Sequence, residues 1–411
     1  MDSRLYDVIV VGAGPAGSRA ARDLALAGLE VGILEEHREI GQPCHCSGLV
    51  SPRTLDIAQV DHDLVLNTIR GALVHTTGRD PVKVGGDRIH GYVIDRVELD
   101  RRLADQAIAA GAELIQPARF ERYRLVGELG TEARSGWVAV TAVRDGVEVE
   151  LRARLLIGAD GAQSAVAQQI RGTHQTRVVA GLGTHADYAA NPHLDHVEVF
   201  LDEHSAPGWF GWTIPLGDGT ARIGTGSANG VKPVESFERL RSSFASTFGT
   251  ARVLSRSAGT IAVWEPTAMV ADRVMLVGDA ARQVKPTSGG GIHAALDAAA
   301  MASRHAGAAL RGPRLSARVL GSYRTEWRRT MGRELRRQHD LRRMFNRLNP
   351  ARLAFLMDLL ERETLRSEFE SGADVDFPSP GIRRLALRHP LLTARLAAWP
   401  RFPSAWFGSR Q

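Results

Sequence analysis

The amino-acid sequence predicts an α/β fold with α+β character, and three observations carry that prediction. An apolar, strand-like run opens the chain and leads into a glycine triplet and a helical pattern. Two more strand-to-turn junctions, rich in glycine and aspartate, recur near residues 158 and 278. A chain of 411 residues is also too long for one core, so two or three domains are expected.

Leu5–Val11 reads LYDVIVV, as a strand buried on both faces does. Gly12-Ala13-Gly14-Pro15-Ala16-Gly17 then fits G-x-G-x-x-G, and the helical run after it ends at Gly28, a residue type that caps helix C-termini. A second strand, Val31–Leu34, ends on Glu35. Gly12 permits the tight turn, Gly14 lets backbone approach a pyrophosphate, and Gly17 lets helix pack close to strand. The helix start offers free N–H groups and a positive dipole end to phosphates. Glu35 is placed to accept from ribose hydroxyls, and strand alternation favours it over Glu36. The unit reads as a Rossmann βαβ with Gly12, Gly14, Ala16, Gly17 and Glu35 as cofactor contacts. By itself it does not separate FAD from NAD.

Residues 154–166 (RLLIGADGAQSAV) end a strand in Gly158-Ala159-Asp160-Gly161. Residues 272–296 end another in Gly278-Asp279, and Gly289-Gly290-Gly291 opens a helix at Ile292. In this order the three segments resemble the para-hydroxybenzoate-hydroxylase-like FAD flavoproteins. The resemblance implies a Rossmann-type FAD domain built from discontinuous segments and a β-sheet substrate domain. Asp279 then binds ribityl hydroxyls, and Gly290, Gly291 and Ile292 present N–H groups to the flavin pyrimidine, where negative charge develops on reduction. The expected boundaries are 1–75, 91–178 and 266–312 for the FAD domain, 76–90 and 179–265 for the substrate domain, and 313–411 for a helical C-terminal region.

Within that superfamily, GDAARQVKPTSGGGI at 278–292 is similar to the geranylgeranyl reductase family, including digeranylgeranylglycerophospholipid reductases. Three segments agree. GQPCHCSGL at 41–49 matches the family's G-x-P-x-x-C at Gly41, Pro43 and Cys46, with Cys44 as an extra. It has C-S-G where archaeal members commonly have C-x-E-G. The resemblance implies that Cys46 lies near the isoalloxazine ring in a catalytic or gating role, with Ser47 and Gly48 beside the cofactor; the competing reading is a packed thiol. DRVELD at 95–100 puts Arg96 where the family's arginine contacts FAD; the competing reading is a capping or surface arginine. PGWFGWTIP at 207–215 matches a family motif at Pro207, Phe210, Trp212 and Pro215, with Ile214 in place of Phe. Alternation puts Phe210, Trp212 and Ile214 on one strand face. With Pro215 they are the expected wall of a polyprenyl pocket, and strand core is the competing reading.

Composition sets further bounds. Apolar residues are 44% and charged residues 24%, ordinary for a globular protein. No apolar stretch is long enough for a transmembrane helix and no signal peptide is evident, so a cytoplasmic protein is expected. The two cysteines cannot build a structural zinc site, and no metal is expected. Net charge is +6, and eleven arginines against three acids fall between Arg314 and Arg347. There Leu320, Tyr323, Trp327, Met331 and Leu335 form an apolar stripe. Apolar runs at 353–360 and 391–402 follow. The region reads as a helical cap, with peripheral membrane contact as a secondary role. No nucleic-acid motif accompanies the charge, so no nucleic-acid partner is expected.

The resemblance implies an FAD-dependent reductase that saturates C=C bonds of a polyprenyl group on a lipid or quinone. No second Rossmann fingerprint is visible, so the electron donor is NADPH bound transiently, a ferredoxin or another carrier. The alternatives are a flavin monooxygenase or halogenase, for which Lys83 is the one lysine upstream of FGWTIP, and a non-catalytic flavin-binding protein.

Overall fold

Strands from distant parts of the chain interleave into two large sheets in a computed structural model, which describes residues 4–127, 135–172, 178–188, 193–228, 230–248, 251–372 and 374–397. The first sheet sets Val274–Leu276, Val147–Gly158, Leu5–Val11, Val31–Leu34 and Glu113–Ile115 side by side in parallel. Val10 lies opposite Ile157 on one side and Ile33 on the other, and all three are buried. Burial on both faces is why these strands read as unbroken apolar runs. The helices Pro15–Leu26 and Ile292–Leu310 pack together over this sheet. Their alanine-rich faces come close enough for Ser303 Oγ to donate to Ala20 O at 3.2 Å. The first half of Val147–Gly158 pairs antiparallel with Trp137–Arg144, which continues to Arg119–Val126.

The second sheet runs in the order Arg252–Ile261, Val179–Asp187, Thr220–Ser227, Gly211–Pro215, His196–Leu201, Gly71–Thr76 and Val82–Gly85. Its first strand in the chain begins at Gly71, not at the expected 76. Gly71–Thr76 pairs in parallel with His196–Leu201, His75 opposite Phe200, and that remote partner draws it out of the first domain. On one face Leu182, Phe200 and Ile223 pack against Phe237, Leu240, Phe244 and Phe248. The other face turns toward the first sheet. A small sheet of Leu49–Val50, Gly91–Ile94 and Val65–Ile69 bridges the two.

The basic C-terminal stripe forms two helices, Ala317–Arg329 and Met331–Phe345, broken at Thr330. Leu320, Tyr323, Trp327, Met331 and Leu335 are buried in the same core as Leu5–Val11, so this segment is a cap. Four shorter helices follow to Ala397, and they leave Leu387 and Leu391 exposed at 71% and 87%. Residues 398–402 of the last apolar run lie outside the described residues. Among the described residues no helix is long and apolar enough to cross a membrane.

Candidate functional site

The glycines of the first turn divide into two kinds. A Cβ on Gly12 (φ +98°) would come 2.6 Å from Ala159 O, and one on Gly17 would come 1.9 Å from Gly12 O. These two let the turn, the helix and the Gly158–Gly161 segment close on one another. Gly14 has nothing within 4 Å of its Cβ position, so its bareness serves space outside the protein. No side chain caps the helix that follows, so first-turn N–H groups face that space. Glu35 ends its strand with Oε2 accepting from Ala13 N–H at 2.9 Å and Oε1 from His37 N–H at 2.9 Å. Asp160 accepts from Ser164 Oγ and Val166 N–H at the start of the helix Ala165–Arg171.

Between the sheets lies a cavity of about 1910 Å³. That exceeds the ~300–1,000 Å³ of an ordinary small-molecule site and leaves room for a dinucleotide and a second ligand. Of the predicted residues, Gly14, Ala16, Cys46, Ser47, Arg96, Asp279, Gly290, Gly291, Ile292, Phe210, Trp212 and Ile214 line it. Gly12, Gly17, Glu35, Gly48 and Pro215 do not line it; they support the wall from behind. Pro215 ends its strand buried, and its carbonyl accepts from Asn67 Nδ2 at 2.9 Å.

Cys46 lines the cavity, and its Sγ accepts from Gly48 N–H at 3.4 Å. Gly48 has φ +72°, and a Cβ there would lie 2.0 Å from the Arg222 guanidinium and 2.7 Å from Ile94 O. The glycine is needed because Arg222 crosses from the second sheet to donate to Ser47 O at 2.7 Å and Ile94 O at 3.2 Å. Burial pushes the Cys44 thiol up, while the Cys46 backbone, Arg96 and Arg222 pull the other way. Arg96 starts the helix Arg96–Ala109 and is not a surface residue. It pairs with Asp100, and its Nε is buried with no hydrogen-bond partner among the described residues. Burial pushes the Asp100 carboxyl up to about 6 against the pull of Arg96.

Asp279 follows the strand Val274–Leu276, beside the glycine turn; a Cβ on Gly291 would be 3.3 Å from its Oδ1. Burial pushes this carboxyl up to about 6, against Arg96 and Arg282. Among the described residues no group donates a hydrogen bond to its side chain, yet it faces the cavity. An open Gly14, a helix start with free N–H groups and a carboxylate awaiting donors fit the pyrophosphate and polyol of FAD. Lys285, unremarked in the motif, opens the turn and is paired with Asp376 at 2.9 Å.

The far part of the cavity is apolar. Phe210, Trp212 and Ile214 share one face as expected, with Trp209 beside them. Trp212 covers Gly224 and Trp209 covers Gly226, where a Cβ would come 2.3 Å and 2.4 Å from the indole rings. Gly181 and Gly183 on the neighbouring strand are open, with nothing closer than 3.7 Å and 3.4 Å to their Cβ positions. These residues make a trough with a bare backbone floor and an indole wall. Arg342, from the C-terminal region, lies 4.0 Å over Trp209 and donates to Gly208 O at 2.9 Å. Trp209, Arg222, Lys285, Arg342 and Asp376 are the site residues that sequence reasoning missed. The positive-φ requirement at Gly48 is the kind of signal a glycine gives, but its cause lies 174 residues away at Arg222.

Residues 5–338 match the family described as FAD binding domain. The digeranylgeranylglycerophospholipid reductase of Methanothrix thermoacetophila is 31% identical over 368 residues, 87% of this chain and 92% of that protein. Digeranylgeranylglycerophospholipid reductase 2 of Methanothermobacter thermautotrophicus is 32% identical over 88% of this chain and 93% of its own length. Among solved structures, a geranylgeranyl bacteriochlorophyll reductase-like protein from Thermoplasma acidophilum superposes with a TM-score of 0.81 at 25% identity, covering 96% of this chain and 99% of that one. A flavin-dependent brominase superposes with a TM-score of 0.70 at 16% identity over 95% of this chain and 99% of its own, a likeness of fold alone.

Proposed function

The chain belongs to the FAD-binding-domain flavoproteins and, within them, to the family of the digeranylgeranylglycerophospholipid reductases, and from that membership we propose that this FAD-dependent oxidoreductase saturates C=C bonds in a polyprenyl group carried by a lipid or quinone. One observation carries the reading. One cavity is lined both by Gly14, Asp279 and Gly291 and by the apolar residues Trp209, Phe210, Trp212 and Ile214. A flexible hydrocarbon chain suits that apolar lining and gains from burial there, roughly 25 cal/mol per Å² of apolar surface.

FAD, once reduced by an external donor, supplies the hydride for one alkene carbon. An isolated alkene is a poor acceptor, so the protein must align it and exclude water. The indoles, Phe210 and Ile214 do both. Cys46 is the proposed proton source or gate at the other alkene carbon. Gly48 N–H donates to its sulfur, so the S–H remains available to the cavity. Arg222 holds that stretch of wall through Ser47 O, and Arg96 acts on Asp279. The donor is NADPH, a ferredoxin or another carrier. Exposed Leu387 and Leu391, among Arg383, Arg384, Arg388 and Arg395, are the proposed peripheral contact with an anionic membrane.

The halogenase alternative gains nothing from Lys83, which is exposed on the edge strand Val82–Gly85 away from the cavity. The test is anaerobic. Dithionite-reduced protein is mixed with geranylgeranyl-bearing lipid, and flavin reoxidation is followed with product mass. Reoxidation with a gain of two hydrogens per double bond is expected. Reoxidation only when oxygen enters, with an oxygenated or halogenated product, would overturn the proposal.

A further inference from the structure

Lys285 opens the glycine turn that the flavin motif ends on. Its N–H donates to Gly290 O at 3.0 Å, and its carbonyl accepts from Gly289 N–H at 2.9 Å. Its side chain runs back along the same turn; a Cβ on Gly290 would lie 2.9 Å from Lys285 Cε. The ammonium is buried and donates to Asp376 Oδ1 at 2.9 Å and Val375 O at 3.2 Å. His293, two residues past Gly291, sits with Nδ1 3.9 Å from Asp376 Oδ2. Both atoms are shut off from solvent, and among the described residues neither has a partner at good hydrogen-bond geometry, although Ser51 also acts on the Asp376 carboxylate.

Asp376 is only 1% exposed and reaches this place from the C-terminal region. Its segment is fastened on several sides. Asp374 pairs with Arg53 at 2.7 Å, Gln338 donates to Asp376 O at 3.2 Å, and the Phe377 ring meets the His293 ring edge-on. A buried ion pair is a poor way to gain stability, because desolvation offsets the attraction; an apolar pair of similar volume is often as stable or more so. Charges held in a cavity at that cost point to a role in the site. Lys285, His293 and Asp376 line the cavity together with Asp279, Gly290 and Gly291.

We propose that Asp376 holds the Lys285 ammonium against the Gly289–Gly291 turn, and that the charge balance of Lys285, Asp376 and His293 sets the midpoint potential of bound FAD. The proposal rests on FAD binding with its ring at this turn. Two-electron reduction with uptake of one proton leaves the cofactor one negative charge richer. A positive charge fixed nearby favours that state, and an unpaired carboxylate opposes it. Asp376 is therefore a positioning residue that acts through Lys285.

The test is a spectroelectrochemical titration of the FAD-loaded protein at pH 6, with FAD stoichiometry and melting temperature measured on the same samples. Lys285→Met leaves Asp376 unpaired and is expected to lower the potential. Asp376→Asn leaves Lys285 unpaired and is expected to raise it. Each shift is on the order of tenfold in the redox equilibrium, about 30 mV for a two-electron couple. The double variant Lys285→Met/Asp376→Asn removes both charges and is expected to fall between the singles. Lys285→Arg and Asp376→Glu keep the charges and are expected to stay near wild type. If one neutral single variant does not fold, the other is read against these two, and a shift of its stated sign that they do not show is then required. Unmoved potentials, or shifts of one sign in both singles, would overturn the proposal even with FAD fully bound. Wild-type protein that took up no FAD would overturn the underlying reading as well, and the stoichiometry separates the two failures.

Discussion

Asp279→Asn should make the ligand-free protein more stable while weakening its hold on FAD. Burial moves the Asp279 carboxyl from 3.8 to about 6, with Arg96 and Arg282 opposing the rise only in part. One pKa unit corresponds to about 1.4 kcal/mol, so the ionised group costs the ligand-free fold at most about 3 kcal/mol. Water in the open cavity brings the expected figure to about 1–3 kcal/mol. The folded-state pKa lies above the unfolded one, so the folded protein binds this proton more tightly. The penalty is then complete above pH 6, fades as pH falls from about 6 to about 4, and is gone below that. Asparagine keeps the size and cannot ionise. The stability difference, variant minus wild type, should be positive at pH 8 and close to zero at pH 4. Subtraction removes the other titrating groups. Urea unfolding of FAD-stripped protein at pH 8, 6 and 4 measures it. A hydrogen bond to a charged acceptor contributes about 1.5–3 kcal/mol, so FAD affinity should fall roughly 10- to 100-fold in a fluorescence titration. A ligand-free variant no more stable than wild type at pH 8, or unchanged FAD affinity, would refute the reasoning.

Gly48→Ala places a methyl against the Arg222 guanidinium and Ile94 O in a left-handed backbone, so it should cost about 2–4 kcal/mol and speed thiol labelling of Cys46, read by unfolding and by a disulfide reagent. Gly183→Val fills the open trough without meeting a neighbour closer than 3.4 Å at its Cβ. It should leave FAD affinity intact and raise KM for a geranylgeranyl lipid at least about tenfold, with less effect on shorter prenyl chains. Cys46→Ala should retain FAD and lower kcat about 100-fold if the thiol delivers the proton, measured as the rate of anaerobic flavin reoxidation by substrate.

The sequence was most legible where structure is local. Leu5–Val11 and Val31–Leu34 have the expected bounds because a buried parallel strand must be apolar throughout and each is closed by its own turn. The shared face of Phe210, Trp212 and Ile214 follows from strand alternation alone. Remote pairing was not legible. Gly71–Thr76 belongs to the second sheet because of His196–Leu201, and nothing within the strand announces that partner. Arg96 carries no mark separating a surface arginine from an enclosed one; Asp100 and the two cysteines decide it. The stripe from Leu320 to Leu335 suits a membrane surface or a protein core equally well, until Tyr323 is seen to donate to Leu276 O within the first sheet.

That last contact bears on how the site is assembled. The βαβ strand pairing and its glycine turn are made by residues that precede the C-terminal region. The two ends of the reacting cavity are not. Trp209 is held by Arg342, which also donates to Pro286 O at 3.3 Å in the flavin turn, and burial brings that guanidinium down to about 10. Lys285 is held by Asp376. One helical region thus grips the indole wall of the trough and the turn at the polar end together, through charges whose burial opposes stability. A cap needed only to shield the core could do so with the apolar stripe from Leu320 to Leu335. The half-buried Arg342 and the buried Asp376 instead tie the spacing of wall and turn to the seating of the C-terminal helices, so the region belongs to the site as much as the Rossmann unit does.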